Sequence, residues 1–212
     1  MDITRIIGSH ADQLLPHQLL MSWLKSYKRP NDKLLGLKKK GILESLKKGL
    51  YIAGPSASDT KPDTLLVANH LLGPSYVSEE TALSFYGLIP ERVYEISSMT
   101  TKASRSFKTV LGNFTYTRLP LPYYSYGLEM LQLPSNQYAI VASPEKALCD
   151  KIITTSGLTF RSIHNAYEYL VNNMRIEESA LKGLDTTAIR EWIPNGSKKD
   201  SLLMMIKMIE QL

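Results

Sequence analysis

The 212-residue sequence predicts an α+β fold in two parts. A small N-terminal module of helices closed by a hairpin precedes a larger mixed domain with a mostly antiparallel sheet and C-terminal helices. Three observations predict it. Apolar residues recur at helical spacing in three short N-terminal segments, then switch to strand-like runs. A stretch dense in turn formers, Gly54 to Thr60, separates residues 1–54 from residues 61–212. Charge is also partitioned: residues 1–54 hold ten Lys/Arg against four Asp/Glu (+6), whereas residues 55–212 hold fifteen against sixteen (−1).

Residues 2–13 suit a first helix, with Ile3, Ile6 and Ile7 on one apolar face. Pro16 sits well at the opening of a second helix carrying Leu19, Leu20, Trp23 and Leu24. The polar stretch Ser26-Tyr27-Lys28-Arg29-Pro30 breaks that helix. Asn31 or Asp32 then caps a third, because a short side-chain oxygen satisfies free backbone N–H groups. Gly41 ends it, where a left-handed backbone is needed. At 100° per residue, Leu34, Leu35 and Leu37 gather on one side of this helix, and Asp32, Lys33, Gly36, Lys39 and Lys40 on the other. Ile42–Leu46, the basic turn Lys47-Lys48-Gly49 and Leu50–Ala53 read as a hairpin.

Helix, helix, basic helix and basic-tipped hairpin, in that order, is the pattern of a winged helix-turn-helix. Such a module places one helix in the major groove of duplex DNA and lets the wing reach flanking phosphates. The candidate contact residues are Lys28, Arg29, Lys33, Gly36, Lys39, Lys40, Lys47 and Lys48. Nine Lys/Arg stand against two acids between Lys25 and Lys48. If about 4–6 phosphates are neutralised, log affinity falls with log salt at a slope of roughly −4 to −5. Two plainer readings compete: a solvated basic face without a partner, and a winged module that docks protein instead of DNA.

Beyond the linker, Asp63–Leu72 suits a helix, and Ser78 suits the cap of another that runs through Phe85 and ends at Gly87. Extended segments follow at Val93–Thr100, Phe107–Leu111, Phe114–Leu119, Tyr126–Leu133 and Tyr138–Ala142. Gly112-Asn113 and Pro134–Gln137 are the hairpin signals between them. Ser143-Pro144-Glu145 opens a helix with cap, first-turn proline and acid in order. The remainder reads as helical, most clearly at Ala166–Met174 and Leu202–Leu212.

Three blocks carry a resemblance: Lys40-Gly41-Ile42-Leu43 through Lys48-Gly49-Leu50-Tyr51; Pro74-Ser75-Tyr76-Val77-Ser78 through Tyr86-Gly87-Leu88-Ile89-Pro90; and Ala142-Ser143-Pro144-Glu145-Lys146-Ala147-Leu148-Cys149-Asp150. In this order and spacing, over about residues 15–150, the chain resembles the AbiEi family, antitoxins and transcriptional regulators of type IV (abortive-infection) toxin–antitoxin systems. The resemblance implies a winged domain that represses its own promoter at an inverted repeat. It also implies a C-terminal domain that opposes a nucleotidyltransferase-type toxin, without direct contact being required. Ser75, Tyr76, Ser78, Glu145, Lys146 and Asp150 are the polar residues of the matching blocks, candidates for a partner-facing surface or for structural roles. Lys146 and Asp150, four apart on one helix, are spaced to pair.

Composition narrows the remaining classes. With 43% hydrophobic and 21% charged residues the chain has the make-up of a folded globular protein rather than a disordered one. The longest uncharged run, Thr64–Ser78, contains Asn69, His70, Gly73 and Pro74, which suit a turn better than a bilayer. No secretory signal is read at the N-terminus, no disulfide is available to the single Cys149, and the expected compartment is the cytoplasm. No catalytic residue, metal site or cofactor is expected. Adjacent Glu145 and Lys146 point about 100° apart on a helix, a poor arrangement for a shared ion, and the histidines at 10, 17, 70 and 164 lack ligand spacing. The alternatives are a winged-helix transcription factor with a ligand-sensing C-terminal domain and, further off, a nucleic-acid-processing enzyme.

Overall fold

The computed structural model describes residues 2–91 and 93–212. The chain opens with α1 (Ile3–Ser9), whose first turn is capped by Asp2 accepting from Thr4 N–H at 3.0 Å. This helix is shorter than the 2–13 expected. Ser9 Oγ donates to the Ile6 carbonyl at 2.9 Å and His10 N–H bonds to Ile7 O, so local contacts at the Ile6–Ile7 carbonyls close the last turn. A two-residue strand, β1 (Leu15–Pro16), then leads into α2 (His17–Trp23) and α3 (Pro30–Lys39). Helix α3 starts one residue before the expected cap because Pro30 takes the N1 position, where its fixed φ fits and its missing N–H is not needed. Gly41, at φ +67°, follows its end.

The hairpin is β2 (Leu43–Lys47) and β3 (Leu50–Ala53), and β1 adds to it in the order β1-β3-β2 through Leu15↔Tyr51. Leu43, Tyr51 and Ala53 pack with Ile3, Ile7, Leu20, Leu24, Leu34 and Leu37 in a small N-terminal core. Leu46, Leu50 and Ile52 belong instead to the large core of the rest of the chain. Along β3 the assignment alternates residue by residue, as a strand with two covered faces requires. The hairpin therefore serves both cores, and the segment after it links two bodies that already touch. One expectation is corrected here: Leu34 and Leu37 are buried, but Leu35 is 54% exposed. It lies about 160° from Leu37 on the helix.

After Asp63 caps α4 (Thr64–Leu71) at Leu65 N–H, 2.8 Å, the chain forms β4 (Ser75–Val77) and α5 (Glu79–Phe85). Strands β5 (Glu95–Thr100), β6 (Arg105–Thr109), β7 (Gly112–Arg118), β8 (Leu128–Leu133) and β9 (Gln137–Ala142) complete a six-stranded sheet ordered β6-β7-β5-β4-β9-β8. The sheet is mixed. Neighbours β4/β5, β6/β7 and β8/β9 run antiparallel, while β4/β9 and β5/β7 run parallel. The parallel pair β5/β7 arises because β6 and β7 form a tight hairpin and β7, not β6, inserts next to β5. That hairpin turns at Val110-Leu111, with Thr109 opposite Gly112, two residues before the Gly-Asn signal.

The C-terminal part is helical. It comprises α6 (Pro144–Thr154), α7 (Ile163–Tyr167) continuing as a π-helical stretch over Glu168–Asn173, α8 (Glu178–Lys182), α9 (Thr186–Trp192) and α10 (Lys199–Ile209). Among the described residues, no helix is long and apolar enough to cross a membrane.

Candidate nucleic-acid interface

Helix α3 turns its buried stripe inward; Leu35, Lys39 and its last turn are exposed, while Lys33 and Gly36, expected on the free face, are half-buried toward the start of α1. Lys28 and Arg29 lie exposed in the turn before it, and Lys38, Lys39 and Lys40 are exposed along its last turn. Arg29 sits 3.7 Å from Asp32, an exposed pair that contributes little. Lys33 is half-buried, its Nζ 4.8 Å from the centre of the Tyr27 ring. With Gly36 and Lys40, Lys33 lines a cleft whose opposite wall is Asp2 and Thr4 at the start of α1. A side chain at Gly36 would meet nothing within 4 Å, so no neighbour in the folded chain requires a glycine there. Leu35 and Lys39 point to the outside. Lys38, which the expected contact set omits, leans toward the hairpin, its Nζ 5.9 Å from the Tyr51 ring.

The two lysines of the hairpin part company. Lys48 is exposed at the turn next to Gly49, whose φ is +84°. Lys47, the last residue of β2, is half-buried and points into the molecule. Its Nζ donates to His70 O at 3.1 Å and Leu71 O at 2.7 Å, the last carbonyls of α4. A cation there satisfies orphan acceptors and complements the helix dipole. Burial holds the Lys47 pKa below the ordinary lysine value, and the nearby positive charges of Lys102 and Arg105 lower it further. The same burial, with Lys47 nearby, lowers His70. The expected contact set thus loses Lys47 as a free wing-tip cation and keeps Lys48.

The polar residues of the other two sequence blocks meet deep in the large core. Lys146 and Asp150, on successive turns of α6, are both fully buried, with Lys146 Nζ 3.0 Å from Asp150 Oδ1. Tyr76 Oη (2.9 Å) and Ser78 Oγ (2.8 Å) both donate to Asp150 Oδ2. Lys146 Nζ donates to Tyr123 O at 3.0 Å and lies against the Tyr123 ring. Burial drives Asp150 upward and Lys146 downward from their ordinary values; their contact and the two hydroxyl donors oppose this. Ser75, also buried, donates to Ala68 O at 3.5 Å. Glu145 accepts from Ser143 Oγ (2.8 Å) and from Asp185 N–H (3.1 Å), tying the start of α6 to that of α9. A partner-facing role for Ser75, Tyr76, Ser78, Lys146 and Asp150 is corrected by their burial. Ser78 also precedes α5 without a side-chain cap; its hydroxyl instead donates to Asp150.

Among the described residues, no group of three His, Cys, Asp or Glu side chains is placed to hold a metal ion. No family model and no curated protein matches the sequence. Among solved structures, the chain is similar to the RV2827C protein from Mycobacterium tuberculosis, at 14% identity and a TM-score of 0.53, over 98% of this chain and 80% of that one. At that identity the likeness concerns the fold alone.

Proposed function

We propose that the chain is a DNA-binding transcriptional autorepressor and the antitoxin of a type IV toxin–antitoxin system, opposing a nucleotidyltransferase-type toxin. In this reading residues 1–54 are a winged helix-turn-helix, with α3 as the recognition helix and the β2/β3 hairpin as the wing. Residues 61–212 form an AbiEi-like domain. The observation that carries the DNA-binding part is the uncovered side of α3: Lys39 and Lys40 exposed with Lys38, Lys28 and Arg29 around them, and Lys48 exposed on the adjoining hairpin. Only Leu34 and Leu37 tie this helix to a core. Exposed cations on a helix and the adjoining hairpin turn match a groove flanked by two phosphate strands. Outward-facing Leu35 offers an apolar contact for a thymine methyl group among them. The antitoxin part rests on the resemblance of the three sequence blocks to the AbiEi family.

The test is a mobility-shift titration on duplex spanning the region upstream of the chain's own coding sequence, against random duplex of equal length. Preference for the promoter, weakened in K39A/K40A, is expected; equal weak affinity for both duplexes overturns the repressor reading. Co-expression with an adjacent nucleotidyltransferase gene tests the antitoxin reading: rescue of growth is expected, and unrelieved toxicity overturns it.

A further inference from the structure

The near-zero net charge of residues 55–212 conceals a local imbalance. Between Glu95 and Glu129 there is no acidic residue, and Lys102, Arg105, Lys108 and Arg118 all fall in that interval. None of the four makes an ion pair among the described residues. Two of them stand beside the hairpin. Strand β6, which begins at Arg105, is one of the two edge strands of the six-stranded sheet and lies against β2. Lys102 donates to Gly73 O, just beyond the end of α4 that Lys47 occupies. Arg105 lies exposed with its guanidinium 5.1 Å from the Phe107 ring.

Two cations account for the carbonyls at this end of α4, since Lys47 takes His70 O and Leu71 O and Lys102 takes Gly73 O. Arg105 is a third cation nearby, its guanidinium without a hydrogen bond or ion pair among the described residues. Burial disfavours the Lys47 ammonium most, and the two neighbouring charges of Lys102 and Arg105 add to it, a local cost in the isolated chain. An approaching phosphate offsets that cost, because an arginine fork matches phosphate oxygens and an aromatic ring beneath it holds the fork in place.

We infer that the outer edge of β6, at Arg105, is a second phosphate-contact point for duplex DNA. It continues the surface of the wing residue Lys48 onto the larger domain. The inference rests on the DNA-binding reading above and extends it: the duplex held by α3 and the wing runs on past β6, so the larger domain shares in binding. A plainer role for these charges exists, since a charged residue on an edge strand blocks pairing with another chain. That role is indifferent to the sign of the charge, and the phosphate role is not.

The experiment measures promoter-duplex affinity against salt for the full chain and for R105A, R105K and R105E, with K39A/K40A in parallel. Because Arg105 is exposed, the three variants are expected to keep the wild-type unfolding curve. R105A is expected to reduce the magnitude of the salt slope by about 1, and R105K to retain the wild-type slope. R105E is expected to bind more weakly than R105A at low salt and to converge with it as salt rises. Equal slopes for wild type, R105A and R105E, alongside a weakened K39A/K40A, overturn this contact and leave the DNA-binding reading standing. Wild-type protein without affinity for duplex overturns both.

Discussion

Tyr76 donates its hydroxyl proton to Asp150 at 2.9 Å although 74 residues separate them in the chain. With Ser78 on the same carboxylate oxygen, β4 and the turn after it are fastened to the middle of α6 through one buried acid. Lys146, one turn earlier, neutralises that acid. The two blocks that look most like signatures of a function are, in this chain, the two halves of one internal fastening.

Breaking the pair from either side leaves an uncompensated buried charge. Asp150→Asn keeps an acceptor for both hydroxyls but strands the Lys146 ammonium, and Lys146→Met strands the carboxylate. Each is expected to lower the unfolding free energy by about 3–5 kcal/mol, read from urea titration monitored by circular dichroism. A double replacement of Lys146 and Asp150 by apolar residues is expected to cost less than the sum of the singles. Additive losses would show that the two groups do not act as a pair.

Glu79 supplies a pH dependence of known sign. Burial lifts its carboxyl to about 7 against an ordinary 4.5, although Thr154 Oγ1 donates to it at 2.6 Å and Lys151 lies nearby. Between those values the folded chain binds more protons than the unfolded one, so this group's contribution to stability is full below about pH 4.5 and is lost as pH rises through 7. Glu79→Gln removes the titration. It is expected to match the wild type near pH 4 and to exceed it near pH 8, by on the order of 2–3 kcal/mol. Parallel stability profiles for the two proteins between pH 4 and 8 would exclude this assignment.

The parts of the fold that could be read in advance are those whose causes are local. Gly41 after α3, the turn at Lys48-Gly49 and the Ser143-Pro144-Glu145 start of α6 depend on a few adjacent residues, and periodicity separates helix from strand around them. What could not be read depends on distant partners. Lys47 looks like any turn lysine until α4 presents its terminal carbonyls. The strand β1 is two residues long and has no periodicity to betray it. Insertion of β7 next to β5 leaves no local trace. The basic edge of β6 did leave one, the acid-free interval from Glu95 to Glu129, but a charge summed over the whole larger domain averages it away.

The neighbours Leu34 and Leu35 test which side of α3 faces out. Leu34→Ala removes a side chain from the small core and is expected to cost about 2–5 kcal/mol. Leu35→Ala, at 54% exposure, is expected to stay within about 0.5 kcal/mol of wild type. If Leu35 meets a thymine methyl, L35A also weakens promoter binding and relaxes preference at one base pair. An L35A protein as unstable as L34A would place Leu35 in the core and withdraw it from the proposed contact face.

Lys47 and Lys48 are one residue apart, carry the same charge and are assigned opposite work, so a pair of single variants separates architecture from recognition. Lys47→Ala removes the cation that satisfies two carbonyls at the end of α4 and bridges the hairpin to the larger core. Its unfolding free energy is expected to drop by about 1–3 kcal/mol, the range for charge-assisted bonds to acceptors that burial leaves unpaired. Lys48→Ala touches no such partner, and its stability is expected to be unchanged. In a salt titration of promoter binding the order reverses. K48A is expected to lower the magnitude of the slope by about 1, while K47A, assayed well below its unfolding midpoint, keeps the wild-type slope. If instead K47A alone changes the slope, Lys47 must leave α4 for a phosphate on binding, and the hairpin has to move relative to the larger core when DNA arrives.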